Sequence, residues 1–165
     1  MSWMDDLSTA WEREYPDLDP SALPPLVRLA RLAVLVEDFQ QSVVSRLDLS
    51  SADYSVLAAL RRAGPPYQQT PSKLYSRLQR SSGGMTKILN RLEERALIER
   101  APDPSDGRGS VVSLTAKGLD LQERSFRALL AASRNLLAPL TETAMKDTDR
   151  VLQDLLDLFE PRGSR

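Results

Sequence analysis

Residues 81–118 read SSGGMTKILNRLEERALIERAPDPSDGRGSVVSLTAKG, and two periodicities meet inside that stretch. Met85, Ile88, Leu89 and Leu92 fall at i, i+3, i+4 and i+7, the spacing of a single apolar stripe on a helix. Ser81 or Ser82 stands where a cap is needed, and Thr86, Lys87, Asn90 and Arg91 fall on the face left free. After Leu97 the period shortens. Residues 98–101 and 111–114 read as two short strands, joined by a polar run in which Asp106-Gly107 supplies the turn. A helix with one packed face therefore leads directly into a β-hairpin.

Upstream, Thr70-Pro71 is an N-cap followed by proline at the first helical position, opening a short helix that carries Leu74 and Leu78. Before it, Ser50 or Ser51 caps a helix whose buried face is Tyr54, Leu57, Ala58 and Leu60 and which stops at Gly64, Pro65 and Pro66. Two short capped helices and a two-stranded ribbon make a winged helix-turn-helix pattern over residues 48–118. The flanks are longer. Leu26, Leu29, Leu32, Val36, Phe39, Val43 and Leu47 form a helical stripe over residues 22–47, begun by Pro24 and Pro25. Residues 119–160 hold two more helices, divided near Pro139. The expected fold class is mainly α with a small β-hairpin wing. Its end helices have too little chain between them to be covered in a monomer, which predicts a homodimer, with a compact monomeric bundle as the other reading. In residues 1–21, Trp3 or Met4, Leu7, Trp11 and Tyr15 recur near every fourth position, the mark of an extra amphipathic helix, and residues 161–165 read as a disordered tail.

Composition narrows the chemistry. The chain has no Cys and no His, which excludes thiolate zinc sites, thiol switches, cysteine nucleophiles and imidazole-dependent triads. No catalytic residue, metal or cofactor is expected. No apolar run approaches the roughly 18 residues of a membrane span, and the acidic N-terminus lacks a secretory pattern, so the expected location is the cytoplasm. The net charge of −1 hides a segregation: residues 70–118 carry nine basic and five acidic side chains, while residues 1–69 carry six and ten. A basic segment inside an acidic chain fits a phosphate-binding surface, though ordinary charge scatter also produces one.

Double-stranded DNA is thus the expected partner. Ser82, Gly83, Gly84, Thr86, Lys87, Asn90 and Arg91 would form the base-reading helix: the glycines bare backbone N–H groups at its start, Asn90 suits an adenine edge, and Arg91 or Lys87 a guanine or a phosphate. Thr70, Ser72, Lys73, Arg77 and Arg80 would hold backbone phosphates. Asp106, Gly107 and Arg108 would form a wing tip aimed at the minor groove. A merely solvated helix face and hairpin tip would look similar.

SSGGMTKILNRLEERALIER followed by PDPSDGRGSVVSLTAKG resembles the MarR family of multiple-antibiotic-resistance-type regulators, and the resemblance extends over about residues 22–160. It implies a triangular dimer of winged-helix subunits held by both terminal helical regions, a recognition helix matching residues 82–95, and a wing arginine matching Arg108 with Asp106 beside it. It also implies a ligand-responsive transcriptional regulator, usually a repressor, on a pseudo-palindromic operator. The alternative is a winged-helix protein-interaction module without specific DNA binding. For a possible small-molecule effector, Phe39, Tyr54, Leu57 and Phe126 would line a pocket, or serve as plain core. Ala96 departs from the family, which usually places glycine there, so the end of the recognition helix is expected to be built differently.

Overall fold

A computed structural model describes residues 7–78, 82–103 and 109–160. The chain divides into two compact units, residues 1–126 and 127–165. In the first, α1 (Leu7–Glu14) and α2 (Leu23–Val44) precede α3 (Ser51–Arg62), β1 (Gln68–Gln69), α4 (Pro71–Leu78), α5 (Ser82–Glu94), β2 (Ile98–Pro102) and β3 (Ser110–Leu114). Helix α6 (Ala116–Leu137) follows, and α7 (Glu142–Phe159) lies in the second unit.

The winged-helix core is assembled from stripes legible in the sequence. Met85, Ile88, Leu89 and Leu92 of α5 are all buried, as are Val56, Leu57 and Leu60 of α3 and Leu74 of α4. Each such side chain contributes roughly 1.5 to 3 kcal/mol relative to exposure, so these helices are fixed by the faces they hide. Ser50 caps α3 through a complete capping box: its Oγ accepts from the Asp53 N–H at 3.1 Å, and Asp53 Oδ2 accepts from the Ser50 N–H at 2.9 Å. Helix α2 is bound to this corner by Gln41, whose Oε1 accepts from the Ser51 N–H at 2.8 Å while its Nε2 donates to the Leu49 carbonyl at 3.3 Å.

The expected two-stranded ribbon is one strand short. The sheet has three antiparallel strands in the order β1-β3-β2, with Gln69 opposite Val112 and Arg100 opposite Val112 on the other side. Strand β1 is only two residues long, too short to show an alternating pattern. Toward the wing, β2 keeps only Ile98 buried.

The turn between α5 and β2 corrects the expectation at Ala96. Ala96 adopts the left-handed conformation, φ 54°, that a glycine would take at no steric cost. The Leu97 N–H donates to the Leu92 carbonyl at 2.9 Å and the Ala96 N–H to the Glu93 carbonyl at 2.8 Å, which together form a Schellman cap. The helix therefore ends as a glycine-capped helix would, with alanine carrying the strain. Ala96→Gly should raise stability by about 1 kcal/mol, since a left-handed L-residue costs roughly that much. Chemical denaturation measures it, and a loss of stability would contradict the strain.

Thr115 continues the construction. Its Oγ1 donates to the Ala96 carbonyl at 2.8 Å and accepts from the Gly118 N–H at 3.0 Å, so the first turn of α6 is seated on the end of α5. In α2, by contrast, only Val44 is buried; Leu26, Leu32 and Val36 of the expected stripe are exposed. In the second unit, Thr141 caps α7 by accepting from the Ala144 N–H at 3.1 Å, and Val151, Leu156 and Phe159 are more than half exposed.

Candidate nucleic-acid interface

Helix α5 turns its apolar face into the core and leaves Gly83, Thr86, Lys87 and Asn90 exposed on the other side. A Cβ built on Gly83 meets nothing within 4 Å, so the small residue answers to no neighbour in the subunit. It leaves the backbone at the helix start open to close approach from outside. Gly84 is half-buried. The side chain of Ser82, together with Arg80, Asp106, Gly107 and Arg108, lies outside the described residues.

Two of the expected base readers are engaged inside the subunit. Asn90 Oδ1 accepts from Arg100 Nη2 at 2.8 Å, and Arg100 Nη1 pairs with Glu93 at 3.0 Å. A two-bond contact from Asn90 to an adenine edge would have to use the remaining lone pair of that oxygen beside Arg100. Arg91 differs more from its expected place. Its Nε donates to Asp53 Oδ1 at 3.1 Å, its Nη2 bonds the same oxygen, and Nη2 also reaches Ser50 Oγ at 3.3 Å. The Asp53 side chain is 3% exposed and that of Arg91 46%, so the guanidinium bridges a buried carboxylate on α3 to the flank of α5. Spacing alone placed Arg91 on the free face because its partner is 38 positions away.

On α4, Thr70 Oγ1 accepts from the Lys73 N–H at 3.4 Å and lies 3.0 Å from Ser72 Oγ. Lys73 and Arg77 are exposed one helical turn apart, and neither has an ion-pair partner among the described residues. Arg62, Arg95 and Arg100 are cations near this face that sequence reasoning left unassigned. Arg95 Nη1 donates to the Asp48 carbonyl at 2.7 Å, which ties the end of α5 to the turn before α3.

The four apolar residues expected around an effector do not share one environment. Leu57 is fully buried and Tyr54 nearly so, Phe39 is half-buried, and Phe126 is half-exposed. Burial raises the pKa of the Tyr54 phenol, with the charge of Arg62 opposing it. A separate apolar cleft of about 350 Å³ lies between Trp11, Tyr15, Leu18, Pro20 and Leu23. Among the described residues no three Asp or Glu side chains cluster as metal ligands, and no helix is long and apolar enough to cross a membrane.

The surface thus offers donors and cations over a packed helix. The MarR family model matches residues 47–109. The transcriptional regulator PecS of Dickeya dadantii is 31% identical over 137 residues, spanning 83% of this chain and 82% of that protein. The multiple antibiotic resistance protein MarR of Escherichia coli is 31% identical over 138 residues, spanning 83% and 92%. The crystal structure of a mutant E. coli MarR complexed with operator DNA superposes with a TM-score of 0.71 at 29% identity, covering 85% of this chain and 99% of that one. With that identity sustained over four fifths of its length and the same winged-helix architecture, the chain belongs to the MarR family of transcriptional regulators.

Proposed function

We propose that the chain acts in the cytoplasm as a homodimer that occupies a pseudo-palindromic operator, represses transcription there, and is released by a small-molecule effector. One observation carries the DNA reading: α5 buries Met85, Ile88, Leu89 and Leu92 while holding Gly83, Thr86, Lys87 and Asn90 outward, beside the cations of α4. Residues 82–90 then enter the major groove, Thr70, Ser72, Lys73, Arg77 and Arg80 hold phosphates, and Asp106, Gly107 and Arg108 form the wing tip. Arg91 positions α5 through Asp53 rather than reading bases. The homodimer is supported by the exposed apolar side chains Leu32, Val34, Leu35 and Val36 of α2 and, in the second unit, Val151, Leu156 and Phe159 of α7. Dimerisation by the two end regions, and the assignment of residues 48–118 as the DNA-binding domain, belong to the same proposal.

Gel-shift and footprinting on the promoter beside its own gene test it. Two protected major grooves about 10 bp apart are expected, roughly one helical turn. Weak binding that is blind to sequence would instead identify a protein-interaction module. Arg108→Ala should lower affinity and flatten the log-affinity against log-salt slope by up to about 2, one unit for each phosphate neutralised in the dimer. Asn90→Ala should relax sequence preference with the slope nearly unchanged.

A further inference from the structure

Arg100 stands on β2, and its register opposite Val112 fixes where its side chain starts. From there the guanidinium reaches across to α5 and grips one turn of it. Nη2 donates to Asn90 Oδ1 at 2.8 Å, and Nη1 pairs with Glu93 Oε2 at 3.0 Å. Positions 90 and 93 are neighbours on one helix face, so the two contacts hold the planar group at both ends. The bond also fixes the Asn90 amide. Arginine has only donors and no acceptor, so the oxygen of Asn90 must be the atom that faces it, and Nδ2 points away. Asn90 is exposed, and that Nδ2 makes no hydrogen bond among the described residues.

We propose that Arg100 sets which base Asn90 reads, by presenting its amide donors outward and so making it a guanine reader rather than an adenine reader. This rests on the DNA reading above, in which α5 occupies the major groove. Recognition of adenine by both ends of the amide needs the oxygen to accept from N6–H₂ while Nδ2 donates to N7. Arg100 takes one lone pair of that oxygen and crowds the approach to the other, where its N–H groups repel the hydrogens of adenine N6. Guanine asks for donors alone, because its N7 and O6 both accept and Nδ2 carries hydrogens for each. Arg100 is therefore a positioning residue, acting through a side chain ten places away in sequence.

Selection of duplexes from a random pool by the full-length protein tests this, with Asn90→Ala marking the half-site position that Asn90 reads. At that position the unaltered protein should prefer guanine over adenine about tenfold, within the roughly 5- to 150-fold that one such contact supplies. Arg100→Leu should transfer the preference to adenine there and leave the other positions as they were, an outcome that a merely structural role for Arg100 would not produce. Arg100→Lys keeps a donor for Oδ1 and should restore guanine. Adenine preference in the unaltered protein overturns the proposal. So does an Arg100→Leu protein that keeps guanine, or that loses it without gaining adenine, because Arg100 would then be idle or reading the base itself. A second measurement needs no DNA: the Asn90 side-chain amide resonances of ¹⁵N-labelled free protein should move in Arg100→Leu, and unmoved resonances mean that the orienting bond does not form. Should the unaltered protein enrich no sequence at all, the DNA reading fails and the role of Arg100 with it; a dyad enriched alike by the unaltered protein and Arg100→Leu removes only the role of Arg100.

Discussion

Gly118→Ala should destabilise the protein by about 3 kcal/mol or more, although glycine to alanine in a helix ordinarily stabilises by about 1 kcal/mol. Gly118 lies in the first turn of α6, and a Cβ added there falls 1.9 Å from the Leu97 carbonyl oxygen and 2.9 Å from its carbon. Both are backbone atoms, so no side chain can turn aside to make room. Neither wall is free to retreat. The Leu97 carbonyl accepts from the Thr115 N–H at 3.2 Å and directly follows the Schellman cap at Ala96, while the Gly118 N–H is held by Thr115 Oγ1. Relief of the clash must break the bonds that join the end of α5 to the start of α6. For a chain of this size 3 kcal/mol lowers the melting temperature by roughly 6 to 12 °C. Thermal unfolding measures it, and a variant as stable as the parent would mean that α6 does not start against Leu97.

The same corner shows what a sequence can and cannot disclose. The stripe of α5 was legible because four apolar residues at helical spacing have one economical explanation, and all four are buried. Capping was legible at Ser50 and Thr70, where residue type and local spacing carry the physics. Ala96 was misread because intrinsic preference disfavours the left-handed region for alanine, whereas the bonds of Leu97 and Thr115 impose it from outside. Strand β1 escaped because two residues have no period; β3 recruits them through the register of Gln68 with Ser113. The stripe of α2 is apolar as its spacing implies, yet Leu26, Leu32 and Val36 of it are exposed. Arg91 and Arg100 depend on partners brought together by folding, and no local pattern announces them.

Arg91→Ala should cost about 3 to 5 kcal/mol of stability, as loss of the partner of a buried charge does. Asp53 is 2% exposed and keeps only the capping bond from the Ser50 N–H once the guanidinium is gone. Asp53→Ala removes the carboxylate itself and leaves Arg91, which is nearly half exposed, to find water. Its cost comes mainly from the lost capping box and the freed bridge, about 2 to 3 kcal/mol. The double variant should fall short of the sum of the two, with a coupling of about 1 to 3 kcal/mol. Binding separates the positioning role from direct contact. If Arg91 serves by holding α5 against α3, both single variants should weaken DNA binding, and the salt dependence should keep its slope because no phosphate contact has been removed. Were Arg91 a phosphate contact, Arg91→Ala would flatten the slope by about 2 per dimer while Asp53→Ala left it alone. A flattened slope for Arg91→Ala, together with full operator affinity in Asp53→Ala, would return Arg91 to the surface that meets DNA.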